Sequence, residues 1–181
     1  SFFTNTLFCL TPVSLKRVLT YLYIELLLVF CFLRSQNGVV MNYVFFDVEC
    51  ANCLNGEGKI CSLGYVKTDE SFTVLKKKDI LMNPNAPFLL GNVKTGVGIK
   101  LAYPLHRFQQ SYPFPHYYDE IKKVLLGDNT MCFGFAVHQD VSYLSYTCKR
   151  YQLPILYFPF FDIQEMEKEI NHRKDFSGLD H

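Results

Sequence analysis

The segment 42–50 (NYVFFDVEC) constrains the fold most, because it is a nearly continuous apolar run that ends in two carboxylates. β-branched and aromatic residues dominate it, which is typical of a central strand buried on both faces of a sheet. Side chains alternate along a strand, so Asp47 and Glu49 share one face with Tyr43 and Phe45. The segment therefore predicts a central strand that presents two adjacent carboxylates.

Turn residues and apolar periodicity predict that four further strands and three helices follow this first strand. The predicted strands are 59–68, 72–82, 130–136 and 155–161, and the predicted helices are 113–127, 137–151 and 162–171. Short turns join the first three strands, whereas helices separate the later ones. This order indicates an α/β fold with a mixed sheet, antiparallel at first and parallel afterwards.

Composition excludes several classes of protein. With 181 residues, 49% of them hydrophobic and 19% charged, the chain can bury a core and is not a disordered chain. A formal net charge of +1 excludes a polycationic coat for nucleic acid, although a local basic groove is compatible with it. Seven cysteines make a complete disulfide framework a poor interpretation. Cys50-x-x-Cys53 has no second such pair to complete a zinc site, so we predict reduced thiols and a cytoplasmic location.

The first forty residues differ from the rest of the chain. An apolar run, 18–33 (VLTYLYIELLLVFCFL), is shorter than the roughly 20 residues of a membrane-spanning helix, and Glu25 near its middle would be costly in hydrocarbon. Three interpretations are open: a membrane anchor, a helix packed on the domain, or translation from upstream of a start at Met41, which we favour. We therefore predict an apolar extension over 1–40, without membrane attachment, and a domain over 41–181.

The spacing of Asp47 and Glu49 permits two interpretations. Two carboxylates side by side at the end of an apolar strand repel each other and resist removal from water. A divalent cation would relieve both effects, and carboxylate oxygens suit Mg²⁺ or Mn²⁺. The alternative is a strand end that has simply emerged into solvent. Spacing alone leaves both interpretations open.

Asp140 is the second candidate residue, within the segment 134–144 (GFAVHQDVSYL). It follows a predicted buried strand and lies in the first turn of a predicted helix. An acidic residue at that position also stabilises a helix through the helix dipole, so Asp140 alone does not indicate a functional site. Only a partner across the sheet would do so.

Together, YVFFDVECAN (43–52) and GFAVHQDVSYL resemble the first two motifs of the DEDD-type 3′–5′ exonucleases. The resemblance is to the branch whose third motif carries a catalytic His, of which the proofreading subunit of the bacterial replicative polymerase is the best-known member. Asp47 and Glu49 match the D-x-E of the first motif, and Asp140 matches the Asp of the second, H-N-x-x-F-D. The resemblance covers about residues 42–181. It implies a ribonuclease H-like sheet, three antiparallel strands and then parallel strands, flanked by helices.

The sequence departs from the family pattern in three places. Phe135-Ala136 replaces the His-Asn pair of the second motif, and Gln139 replaces its aromatic residue. Cys50-Ala51-Asn52-Cys53 replaces the Thr-rich turn after D-x-E. The third motif, His-x₄-Asp, is absent, and we assign no catalytic role to His172 or His181. We therefore expect a C-terminally truncated domain that lacks its last helix and is inactive as a fragment.

The resemblance implies a two-metal hydrolysis of phosphodiester bonds at the 3′ ends of DNA or RNA, with release of nucleoside monophosphates. Asp47, Glu49 and Asp140 would be the catalytic residues and would bind two Mg²⁺ or Mn²⁺ ions. The His of the missing third motif would act as general base.

The substrate contacts implied by the resemblance follow the first motif. Val48, Cys50 and Ala51 would approach the 3′-terminal nucleotide through backbone and small side chains. The partners would be single-stranded DNA or RNA ends, held by stacking and backbone contacts, together with a polymerase, and no small-molecule cofactor is implied. Two other classes stay open: a catalytically inactive nucleic-acid-binding module of the same fold, and a membrane-anchored protein whose N-terminal helix is real.

Overall fold

The computed structural model of the chain describes residues 40–89 and 101–170. The described elements are β1 (Asn42–Cys50), β2 (Ile60–Thr68), β3 (Val74–Leu81), α1 (Leu105–Gln109), α2 (Phe114–Leu125), β4 (Thr130–Gly134), α3 (Val137–Arg150), β5 (Phe160–Asp162) and α4 (Ile163–Ile170). A 3₁₀ turn, Leu54–Gly56, follows β1. The predictions for 18–33 and for the third motif fall outside the described residues.

The five described strands form one mixed sheet in the order β3-β2-β1-β4-β5. β1 pairs antiparallel with β2, and β2 pairs antiparallel with β3. β1 pairs parallel with β4, and β4 pairs parallel with β5. The predicted α/β class, the antiparallel and then parallel order, and the central place of β1 are all confirmed.

One face of the sheet carries the main core. Val44, Phe46, Val48 and Cys50 of β1 are buried there. They pack in one cluster with side chains of α2 and α3, among them Ile121, Leu125, Leu144 and Cys148. Helices α2 and α3 therefore cover this face, and burial of apolar area provides its stability.

The prediction that β1 is buried on both faces is wrong. On its second face, Tyr43 and Phe45 are half-buried, and Asp47 and Glu49 are exposed. The aromatic side chains of this face pack on one another across the sheet: the Phe45 ring stacks on Phe133 with 5.3 Å between centroids. The apolar run of the sequence therefore combines a core face with an aromatic half-exposed face, which composition alone does not separate.

Helix α2 shows how the apolar pattern determines a buried face. Its buried residues are Phe114, Tyr118, Ile121 and Leu125, which recur every three or four positions along one side. A proline in the first turn suits the helix start, because the backbone N–H groups there have no partner within the helix. The predicted helix over 113–127 is confirmed with slightly tighter bounds.

Three predicted strands differ most in their bounds from those in the structure. β4 ends at Gly134 instead of residue 136, because Ala136 adopts a left-handed backbone conformation, with φ 52° and ψ 36°. β3 begins at Val74 instead of residue 72, because Phe72 has a φ of 60° in the turn before it. The strand predicted over 155–161 is only Phe160–Asp162, since prolines at 154 and 159 cannot donate to a neighbouring strand.

Helix α1 was not predicted. It places Phe108 in a small cluster with Ala51 and Cys61, beside the main core. None of the helices in the described ranges is long and apolar enough to cross a membrane.

Candidate functional site

The carboxyl end of β1 extends beyond its parallel neighbour. Pairing between β1 and β4 reaches Phe45 and Phe133, whereas pairing between β1 and β2 continues to Cys50 and Ile60. The end of β1, where Asp47 and Glu49 lie, therefore has a paired strand on the β2 side only. Its other edge has no strand partner there among the described residues and is open to contact with the residues that follow β4.

Helix α3 follows β4 and supplies that contact. Phe135 and Ala136 turn the chain between the two elements, and Asp140 lies in the first turn of α3. The backbone N–H of Val48 donates a hydrogen bond to the Asp140 carboxylate. Asp140 is only 8% exposed, although carboxylates are rarely buried without a partner. The structure therefore places Asp140 against the free edge of β1.

The three predicted carboxylates lie close enough for their charges to interact. Burial, and then the negative charges of Asp47 and Glu49, raise the pKa of Asp140 to about 7. Partial burial, and then the negative charge of Asp47, raise the pKa of Glu49. The partner across the sheet that Asp140 needed for a functional interpretation is therefore present.

One oxygen of this cluster is unsatisfied. Asp140 Oδ2 is buried and has no hydrogen-bond partner in the described part of the chain. Buried polar atoms are nearly always hydrogen-bonded, so such an atom needs an explanation. A divalent cation would give Oδ2 a partner and would also reduce the repulsion with Asp47 and Glu49. The donor chemistry of these three residues therefore fits Mg²⁺ or Mn²⁺.

The geometry of the cluster is less complete than its chemistry. Within residues 40–89 and 101–170, no group of three His, Cys, Asp or Glu side chains is already arranged to hold a metal ion. Binding of a cation would therefore require Asp47, Glu49 and Asp140 to close around it. Residues 171–181 lie outside the described part of the chain.

The loop between β1 and β2 is held in place at the same end of the sheet. Asn52 is buried, and its Nδ2 donates a hydrogen bond to the carbonyl of Pro87 at 2.6 Å. Lys59 Nζ lies 3.0 Å from Glu57 Oε2 and donates to Tyr146 Oη of α3 at 2.7 Å. These contacts connect the loop that follows the carboxylates to the helix that carries Asp140.

The residues predicted to contact substrate are not side-chain ligands in this conformation. Val48, Cys50 and Ala51 are 7%, 6% and 0% exposed. Val48 and Cys50 point to the helix-covered face of β1, opposite to Asp47 and Glu49. Contact with a nucleotide through their backbone stays a prediction.

The described cysteines are free. Burial raises the pKa of Cys50, and burial raises that of Cys61 to about 12. Both are therefore neutral thiols near pH 7, which makes them poor nucleophiles and poor metal ligands. Cys53 is exposed.

Asp162 is a buried carboxylate, and the sequence predicts for it only a place at the start of a helix. Its Oδ1 accepts hydrogen bonds from the backbone N–H groups of Ala136 and Gln164. The second bond was predictable, because an Asp directly before a helix is a frequent N-cap. The bond to Ala136 was not, because it joins residues 26 positions apart in the chain.

No protein-family model matches this chain. No curated protein matches it either. Its fold, however, is similar to those of solved exonuclease structures.

E. coli exonuclease I in complex with a dA16 oligonucleotide superposes with a TM-score of 0.59 at 12% identity, over 74% of this chain and 30% of that one. The zinc-bound form of the E. coli exonuclease I–ssDNA complex also has a TM-score of 0.59 at 12% identity, over 72% and 30%. A product-bound structure of exonuclease I has a TM-score of 0.57 at 14% identity, over 72% and 32%. The chain thus spans less than one third of the length of exonuclease I. The likeness shows that the chain has an α/β, ribonuclease H-like fold.

Proposed function

We propose that this chain contains the nuclease domain of a 3′–5′ exonuclease, which hydrolyses phosphodiester bonds at single-stranded DNA or RNA ends and releases nucleoside monophosphates. One observation carries the proposal. Two separate segments of the sequence bring Asp47, Glu49 and Asp140 to the end of the central strand, where Asp140 Oδ2 is buried without a partner. A fold needs no such cluster for stability, because buried like charges destabilise it.

The carboxylates would bind two Mg²⁺ or Mn²⁺ ions, which would activate the attacking water and neutralise charge on the phosphate. In this proposal Asp47, Glu49 and Asp140 would hold the ions, and Glu49 would also orient the attacking water. Asp140 is 8% exposed, and this exclusion from bulk water strengthens its electrostatic interactions. The general base would come from the third motif of the family, beyond the described residues.

The fold comparison supports the substrate class of this proposal. Exonuclease I structures of this fold contain dA16 or dT13 oligonucleotides, which supports a single-stranded substrate here. The exposed second face of β1 presents Asp47 and Glu49 to such a strand, and Val48, Cys50 and Ala51 would contribute backbone contacts. A relation to proofreading subunits, a polymerase partner and a cytoplasmic location stay predictions of the sequence resemblance.

The experiment uses the natural full-length protein and a 5′-labelled single-stranded oligonucleotide with Mn²⁺. We expect a ladder of products shortened from the 3′ end. Asp47→Asn keeps the size of the side chain but removes its charge, and should reduce the rate by about two orders of magnitude or more. The matched control is Glu70→Gln, in the exposed turn after β2. That turn lies beside the start of β1, because Tyr43 pairs with Thr68. Asp47 and Glu49 lie toward the other end of the strand.

Equal rates for the wild type and Asp47→Asn would contradict the site assignment.

A specific observation favours a second candidate, a catalytically inactive nucleic-acid-binding module: Phe135-Ala136 replaces the His-Asn pair, and the three carboxylates are not arranged around an ion. That candidate predicts oligonucleotide binding with no shortening in Mn²⁺.

A further inference from the structure

Asp162 joins two elements through one oxygen atom. It ends β5 and is 7% exposed. Its Oδ1 accepts the backbone N–H of Gln164 in the first turn of α4 at 2.9 Å, and the backbone N–H of Ala136 at 3.0 Å. A cap for α4 needs only the first of these bonds. The second bond therefore needs a separate explanation.

The backbone at Ala136 is strained. Its φ of 52° and ψ of 36° are left-handed values, which a residue with a Cβ adopts only at a steric cost. Such a conformation persists where the surrounding structure holds it in place. The hydrogen bond from Ala136 N–H to Asp162 Oδ1 is a direct restraint on this peptide.

The strained turn determines where α3 begins. Ala136 is the residue before α3, and Asp140 follows four residues later in the first turn. On the other side the turn is packed tightly: a Cβ on Gly134 would lie 2.6 Å from Val137 Cγ2 and 3.1 Å from the Phe46 carbonyl oxygen. The start of α3 is therefore fixed by packing on β1 and by the Asp162 hydrogen bond.

We propose that Asp162 is a positioning residue, which holds the Ala136 turn and thereby directs the Asp140 carboxylate toward Asp47 and Glu49. The inference rests on the proposed function, because it assigns Asp162 to the assembly of the same site. In this proposal Asp162 itself binds no ion: its Oδ1 accepts the two backbone N–H groups, and its part in the site is to hold the Ala136 turn.

The test measures Mn²⁺ affinity by calorimetry in the natural full-length protein, together with the melting temperature. Asp162→Ala removes both hydrogen bonds. Asp162→Ser keeps a hydroxyl acceptor that caps α4, but its side chain is one atom shorter and loses the bond to Ala136. Asp162→Asn removes the charge and keeps the Oδ1 acceptor. The control is a variant of Ile121, a core residue of α2 away from the site. Ile121→Val or Ile121→Ala is chosen so that its loss of melting temperature matches that of Asp162→Ala.

We expect Asp162→Ala and Asp162→Ser to weaken Mn²⁺ binding at least tenfold, although Asp162→Ser melts close to the wild type. Asp162→Asn and the Ile121 variant should stay within threefold of the wild type. Adding Ala136→Gly to Asp162→Ala should recover part of the affinity, because glycine adopts the left-handed conformation without a restraint.

Wild-type affinity in Asp162→Ser, or equal affinity in Asp162→Ala and the Ile121 variant, would overturn the inference and leave Asp162 as a helix cap. If Asp162→Ala does not fold, Asp162→Ser decides the question alone. Absence of Mn²⁺ binding by the wild type would instead overturn the proposed function, and this inference with it. The Val48 amide signal in NMR is a second readout: it should shift in Asp162→Ser, because that N–H donates to Asp140.

Discussion

The two faces of β1 differ in what they contribute to the molecule, although they alternate residue by residue along nine positions. Val44, Phe46 and Val48 point into the core below α2 and α3. Tyr43, Phe45 and Asp47 point to the opposite face, where aromatic rings pack side by side and the carboxylates are exposed.

One strand thus separates apolar burial from exposed charge by the direction of its side chains. The covered face has no charged residue on β1, so its burial is uniformly favourable. The other face has the two carboxylates at the end nearest to Asp140, so charge is concentrated where α3 begins.

The largest expected effect is on stability and compares two adjacent phenylalanines. Phe46 is 4% exposed in the core, whereas Phe45 is half-buried on the other face. Phe46→Ala should lower the free energy of unfolding by about 3–5 kcal/mol, and Phe45→Ala by less than about 2 kcal/mol. Urea denaturation of both variants measures the difference. Similar losses would mean that both faces contribute equally to the core.

The second prediction concerns the pH dependence of stability without metal. The pKa of Asp140 is raised to about 7 in the folded protein, so the folded state keeps a proton that the unfolded state has released. The proton on Asp140 contributes fully to the stability of the folded state below pH 4, and this contribution is lost as the pH rises through 7. Asp140→Asn should therefore stabilise the metal-free protein at pH 8 by about 1–3 kcal/mol and flatten its stability between pH 5 and pH 8.

Thermal denaturation in a chelating buffer at several pH values checks this prediction. The control is Asp128→Asn, since Asp128 is exposed in the turn before β4. It should leave the slope of stability against pH unchanged. If Asp140→Asn kept the wild-type slope of stability against pH, the result would contradict the burial of an unpaired carboxylate beside β1.

The smallest expected effect is at the turn before α3. Ala136 holds a φ of 52°, a region that glycine and asparagine adopt more readily than alanine. Ala136→Gly or Ala136→Asn should raise the free energy of unfolding by about 0.5–1 kcal/mol. Chemical denaturation measures the gain, with Ala51→Gly as the control at a buried alanine that is not among the left-handed residues. A loss of stability at position 136 would contradict the strain.

Much of the fold follows from local pattern. Periodicity predicts α2 because Phe114, Tyr118, Ile121 and Leu125 recur along one helical face. Short turns and crossover helices predict the antiparallel and then parallel sheet. The pattern could not predict that β1 has one exposed face, because Tyr43 and Phe45 are as apolar as the residues of the core face.

The site was predictable in part for a similar reason. Alternation along a strand places Asp47 and Glu49 together, but only the parallel pairing of β1 with β4 brings Asp140 beside them. The role of Asp162 depends on a hydrogen bond between residues 26 positions apart in the chain. The left-handed conformation of Ala136 has no signal in the sequence, because an alanine at this position could equally be helical. Long-range contacts of this kind are not encoded in any short segment.

The most direct test of the central claim is a calorimetric Mn²⁺ titration of the natural full-length protein at pH 8. The comparison is with the double variant Asp47→Asn, Glu49→Gln, which keeps the shape of the exposed face of β1 and removes its charge. We expect the wild type to bind Mn²⁺ with a measurable heat and the double variant to bind at least a hundredfold more weakly. Equal binding by both proteins would contradict it.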